Sequence, residues 1–181
     1  AVIEALNAEY MALTTSPTPS RQELETLEQK CETAYEKYGF KEWSAGLLKN
    51  LVNLKAYYLN KTNSAVLVLE SFLKLAGISN TVKGEYKILL ADIYLLRGEI
   101  WDASLLYSQV EKDFKYEPIG QEAKFRNAKL SFYAGDFTWA KAQADILKGA
   151  TSRLISNDAI ELSLVISDAL GVDTDAAPLS V

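Results

Sequence analysis

The sequence predicts an all-α protein, a stack of antiparallel helix hairpins, and three observations carry that prediction. Apolar residues recur at three- and four-residue steps along most of the chain, the spacing that lines one face of an α-helix. Turn-forming residues Asn60, Gly98, Gly135 and Gly171 recur every 36 to 38 residues. Five positions after each stands a small residue, Ala65, Ala103, Ala140 or Ala176, and seven before the middle two stand Ala91 and Ala128. Regular self-similarity at this period marks stacked helical units, none of which can bury its apolar face alone.

In chain order, residues 2–13 read as a helix with Val2, Ile3, Leu6, Tyr10 and Leu13 on one face. TTSPTPS at 14–20 breaks it with two prolines and ends on Ser20. Ser20 is an N-cap, and Glu23 three residues later closes a capping box. RQELETLEQKCETAYEKY follows as a charged helix striped by Leu24, Leu27, Cys31 and Tyr35, and Gly39 ends it. The helix pair 1–38 suits a terminal position, where a polar outer surface shields the end of a solenoid, and helix 21–38 equally suits the second helix of a truncated repeat.

The segment 41–76 reads as a hairpin of helices 41–59 and 62–76 turning at Asn60-Lys61-Thr62. Asn tolerates a left-handed turn better than other side-chain-bearing residues. These three residues also form a glycosylation sequon, but a tight turn accounts for them without sugar. The clearest hairpin is 84–117, GEYKILLADIYLLRGEIWDASLLYSQVEKDFKYE. Its first run carries Ile88, Leu89, Ala91, Tyr94 and Leu95; its second carries Ile100, Ala103, Leu106, Tyr107, Val110 and Phe114. Gly98 sits where the first helix must end and the chain reverse. Ala91 and Ala103 let the two helices approach closely.

The hairpin 119–150 repeats this around Gly135, with helices 119–134 and 136–149. Gly149 and the Thr151-Ser152 pair mark the next break. Residues 152–181 then hold one helix, 152–170, and a truncated partner that starts after Gly171 with VDTDAAPLS. The five segments read together as one helical-repeat domain over 1–181. A chain that starts at Ala1 without an initiator Met, and stops inside its last hairpin, reads as a processed form or an excised fragment.

The spacing about Gly98 resembles the tetratricopeptide repeat (TPR) family. Aligned on the family's turn glycine, Leu90 and Ala91 fall on its Leu-Gly/Ala pair. Tyr94 falls on the first-helix aromatic, Ala103 on the second-helix alanine and Tyr107 on the second aromatic. Val110 stands at the penultimate small position, and the closing proline comes late, at Pro118. The period exceeds the family's, about 34 residues. The wording LADIYLLRGEIWDASLLYSQVEKDF and AKFRNAKLSFYAGDF is also similar to longer Bacteroidetes TPR proteins of undefined role. The resemblance implies a right-handed superhelix, a bacterial source and a protein–protein interaction scaffold, with a peptide or helix of a partner in its concave groove.

Composition bounds the alternatives. At 181 residues and 49% hydrophobic, the chain can bury a core. A net charge of −5 without a basic stripe argues against nucleic acid and anionic membrane surfaces. No run of apolar residues reaches the length of a membrane span. No signal peptide is visible, so the expectation is a soluble chain, cytoplasmic or exported. One cysteine, Cys31, excludes an internal disulfide and a multi-thiolate metal site, and it reads as a small apolar helix residue rather than a reactive thiol.

The chain has no histidine, which removes the commonest general base and metal ligand. It also lacks a phosphate loop, a dinucleotide fingerprint and a GxSxG elbow. No cofactor is expected and the protein is read as a non-enzyme. The carboxylate pairs Asp92 with Glu99 and Asp173 with Asp175 are the only support for a hydrolase, and they fit solvation or capping better. Self-assembly by end-to-end stacking is the other alternative.

Trp101 and Trp139 open second helices, and Trp43 opens an earlier helix; all three read as packing between hairpins rather than as peptide anchors. If the resemblance holds, the groove is built from the second, fifth, ninth and twelfth repeat positions of each first helix. Registered on Gly98 these are Glu85, Ile88, Asp92 and Leu95; on Gly135 they are Glu122, Phe125, Lys129 and Phe132. The unit about Asn60 adds Leu47, Asn50, Leu54 and Tyr57. TPRs that grip a partner's C-terminal carboxylate place Lys, Asn and Arg on this face. Ile88, Asp92, Phe125 and Lys129 depart from that clamp and leave a mixed apolar and weakly charged groove.

Overall fold

The computed structural model describes residues 1–174, and every regular element among them is helical. The helices are α1 (Val2–Thr15), α2 (Arg21–Tyr38), α3 (Ala45–Asn53), α4 (Thr62–Leu73), α5 (Asn80–Leu96), α6 (Ile100–Asp113), α7 (Pro118–Tyr133), α8 (Phe137–Leu147) and α9 (Arg153–Thr174). The all-α repeat fold is therefore as expected. Packing separates the chain into two compact units, Ala1–Gly77 and the part from Ile78 onward.

The first unit is built from α1 to α4. Ser20 forms the capping box expected of it: its hydroxyl accepts from the Glu23 amide, and the Glu23 carboxylate accepts from the Ser20 amide at 3.0 Å. Ile3, Leu6 and Tyr10 of α1 meet Leu24, Leu27 and Cys31 of α2 and Leu47 and Leu51 of α3 in one core. The helix expected over 41–59 is interrupted. A 3-10 turn occupies Glu42–Ser44, α3 follows, and a π-helical turn runs over Leu54–Tyr58. In that turn the Leu59 amide reaches back five residues, to the Leu54 carbonyl at 3.0 Å. Lys55, four residues after buried Leu51 and three after buried Val52, faces into the unit. Asn60 then turns the chain with φ of 56°, as the sequence suggested.

Lys55 has a side chain only 3% exposed, and its ammonium donates to Glu28 Oε1 at 2.8 Å, Glu32 Oε1 at 2.6 Å and Ser64 Oγ at 3.0 Å. Lys61 pairs with the other Glu28 oxygen. Burial pushes the Glu28 carboxyl up, but the hydrogen bonds from Lys55 and Lys61 outweigh it and hold the group below the usual carboxylate range. For Lys55 burial favours the neutral form, and the two carboxylates overcome it and raise the ammonium's pKa. Cys31 is buried, and desolvation, aided by Glu9, pushes its thiol up to about 11, which keeps it protonated and unreactive.

The second unit alternates helices on two sides. Gly98 and Gly135 end α5 and α7 with φ of 80° and 85°. Each turn closes by the same two bonds: Glu99 N to Tyr94 O and Gly98 N to Leu95 O, then Asp136 N to Ser131 O and Gly135 N to Phe132 O. This is the Schellman arrangement, which needs a residue in left-handed conformation. Ala91, Ala103, Ala128 and Ala140 are all fully buried, so the small residues sit where the helices cross. The first helix of the 84–117 hairpin starts earlier than expected, at Asn80, because the Ser79 hydroxyl accepts from the Val82 amide and caps it.

Two readings of the sequence are corrected here. Gly171 does not turn the chain; it lies inside α9. Glycine permits a left-handed turn without compelling one, and at Gly98 and Gly135 the turn is held by Schellman bonds. The truncated partner helix, with Ala176, falls outside the described residues. The tryptophans do not pack hairpin on hairpin either: Trp43, Trp101 and Trp139 are 68%, 86% and 54% exposed. Trp101 stands two residues before buried Ala103, about 200° round the helix, so it must face away from the crossing.

Candidate functional site

Within the second unit α7 touches α5 on one side and α9 on the other, while α6 and α8 pack between them on the other layer. The face formed by α5, α7 and α9 is therefore the candidate site. On it Asp92 of α5 accepts from Arg126 of α7, whose Nη1 reaches both carboxylate oxygens at 2.8 and 2.7 Å. Asp92 also accepts from the Tyr107 hydroxyl at 2.5 Å, and Arg126 Nε donates to Glu122 at 2.7 Å. Burial alone would lower the Arg126 pKa, but the charges of Asp92 and Glu122 more than offset it. This network fixes α7 against α5 and leaves Asp92 and Glu122 already engaged.

Between α7 and α9 opens a cleft of about 400 Å³. Phe125, Lys129, Phe132 and Tyr133 of α7 line one wall; Asp158, Glu161, Leu162 and Val165 of α9 line the other. Tyr133 and Val165 are exposed, at 78% and 47%, so the walls are accessible. Phe132 packs against Tyr133 and Phe137, with ring centroids 5.4 and 5.6 Å away, and this holds the aromatic wall in place. The Lys129 ammonium sits 5.8 Å from the centre of the Phe125 ring.

Of the residues expected to face a partner, the structure puts Phe125, Lys129 and Phe132 on one wall, although Phe125 is only 9% exposed and packs in a core with Leu147, Ile155 and Ala159. Glu85 and Leu95 are exposed on α5, and Ile88 is buried in the core beside Ala91. In the first unit Leu54 has no accessible surface and belongs to the core, so it is not a contact residue. Leu47, 1% exposed, lies in the same core, and the four- and three-residue steps from Leu47 through Leu51 to Leu54 put all three on the inward face. Asn50 is half-buried and donates to Asn7 Oδ1 at 2.9 Å, whereas Tyr57 is half exposed. Arg126, Asp158, Glu161 and Val165 were missed. With a unit registered on Gly171, the last three take the second, fifth and ninth repeat positions, so the register points to them even though Gly171 is not a turn.

The carboxylate pair Asp92 and Glu99 does not form a catalytic dyad, since Asp92 is held by Arg126 and Glu99 pairs with Arg97 at 2.7 Å. Asp173 and Asp175 fall outside the residues whose side chains are described. Among the described residues no group of carboxylates and thiolates is arranged to hold a metal ion. No described helix is long and apolar enough to cross a membrane.

Comparison with solved structures places the fold. The chain superposes on a tetratricopeptide repeat protein from Parabacteroides merdae with a TM-score of 0.59 at 17% identity, covering 97% of this chain and 68% of that one. It superposes on the TPR-like repeats of a putative kinesin light chain from Podosopora anserina with a TM-score of 0.67 at 13% identity, covering 97% and 87%. The fold is TPR-like. No family model and no curated protein matches the sequence. α5 and α7 are the first helices of the α5–α6 and α7–α8 hairpins, on which groove positions were registered, and α9 follows α8.

Proposed function

We propose that the chain is a protein-interaction scaffold that holds a peptide or helix of a partner protein against the face formed by α5, α7 and α9. The observation that supports this reading is the α7–α9 cleft. Three residues assigned to a groove from repeat register alone, Phe125, Lys129 and Phe132, share one open, aromatic-walled space with the next first helix. Phe125 forms the buried floor of the wall and Tyr133 its exposed rim, and a cleft with apolar walls and a few charged groups is the usual form of a recognition site. The alanine crossings and the Asp92–Arg126–Glu122 network hold the wall helices rigid, so a partner meets a preformed surface. A fold by itself does not set function, so the proposal stands on these side chains.

Selection of a random-peptide display library against the purified protein tests it, followed by titration calorimetry on the winners. A saturable binder of fixed stoichiometry supports the scaffold. No binder, with oligomers that grow with protein concentration, supports self-assembly through the exposed apolar residues Trp101, Leu105, Trp139 and Ile146 of α6 and α8. Turnover in a hydrolase screen, abolished by Asp or Glu substitution, would replace both readings.

A further inference from the structure

We infer that the α7–α9 cleft takes a lysine or arginine side chain, so that the partner segment is basic with an apolar neighbour. This rests on the scaffold reading and deepens it. Asp158 and Glu161 lie three residues apart on α9, on the same side of the helix, and both line the cleft. Neither enters an ion pair or hydrogen bond among the described residues. Lys129, which lines the same cleft, holds its ammonium 5.8 Å from the centre of the Phe125 ring and forms no ion pair with either.

The opposite wall offers the rings of Phe132 and Tyr133, whose faces attract a cation. A long basic side chain satisfies both walls at once. Its methylene stem packs on Leu162 and Val165 while its charged head reaches the two carboxylates. An acidic side chain in the same place would add a third negative charge to a confined space, so the cleft also discriminates. The acidic chain, at −5 overall, steers a basic segment toward it.

The test uses the display library on the full chain and on the Asp158→Asn/Glu161→Gln double variant. Glu161 is exposed and Asp158 half-buried, so circular dichroism melts first check that the variant folds. Peptides selected by the parent should be enriched in Lys or Arg beside an apolar residue, and the double variant should bind them roughly fivefold more weakly. Rising salt should weaken the parent's binding and leave the variant's nearly unchanged. A second variant, Tyr133→Ala, should cost roughly two- to fivefold in affinity through the lost ring face. Binders with no basic enrichment, or basic binders indifferent to the double variant, overturn the cleft assignment and leave the scaffold standing. A library that yields no binders overturns both.

Discussion

Lysine at position 55 offers the sharpest test of how the first unit is held together. Its side chain is 3% exposed and Glu28 is 5% exposed, so the pair is desolvated. Lys55→Met keeps the length and apolar stem and removes the charge. Breaking a buried pair by deleting one partner costs about 3–5 kcal/mol, because the remaining charge stays buried and uncompensated. Glu28 retains Lys61, whose side chain is 38% exposed, so the lower end, about 3 kcal/mol, is expected. Adding Glu28→Gln removes the stranded charge and should recover at least about 1 kcal/mol, a coupling that independent sites do not show.

The pH dependence gives a sign as well as a size. In the parent the Glu28 pKa is lowered, so its contribution is present above the unfolded value of 4.5 and is lost as pH falls through the folded one. In Lys55→Met burial dominates and raises that pKa, so the penalty is present at neutral pH and fades on acidification. The stability gap between parent and variant should therefore narrow from pH 7 toward pH 4. Hydrogen exchange of amides in residues 1–77 reads this locally, without interference from the second unit. A variant that exchanges like the parent at pH 7, or a gap that widens on acidification, refutes the reasoning.

Further outcomes follow from the turns and crossings. Gly98→Val puts a β-branched residue at φ of 80° and should destabilise by roughly 1–3 kcal/mol in urea melts. Ala103→Leu overpacks a fully buried crossing and should cost about 1–3 kcal/mol, while exposed Lys112→Ala should stay within about 0.5 kcal/mol. Gly120→Ala would set a Cβ 2.0 Å from the Phe114 carbonyl oxygen, so α7 must shift; a thermal melt should show it less stable than Gly149→Ala, where the nearest atom is 3.9 Å away. Cys31 should resist a thiol reagent in the native protein and react promptly in urea, since its thiol is buried and its pKa is about 11.

How much of this was legible in the sequence follows from the range of each interaction. The Gly98 and Gly135 turns and the alanine crossings depend on residues within one hairpin, and their spacing announced them. Gly171 has the same spacing yet stays helical, because a glycine only makes the turn available. Trp101 was misread since its size suggested packing, whereas its angle to Ala103 settles its direction. Leu54 was misplaced because repeat register put it on the groove, whereas its three-residue step from buried Leu51 puts it on the core face. Arg126 joins helices from two hairpins, so only the juxtaposition of α5 and α7 reveals its pairing with Asp92. Phe125, Lys129 and Phe132 fall on one wall of the cleft because repeat register sets three- and four-residue steps along α7. Asp158 and Glu161 follow the same register one unit further on.

The central claim is that a partner lies on the face of α5, α7 and α9. Site-specific photo-crosslinking tests it most directly, with a photoreactive residue at Val165 in the cleft or at Trp101 on α6, each exposed to solvent. A peptide selected by display should crosslink from position 165, compete with its unlabelled form, and fail to crosslink from position 101. Crosslinking from position 101 alone would place the interface on the opposite layer and contradict the account.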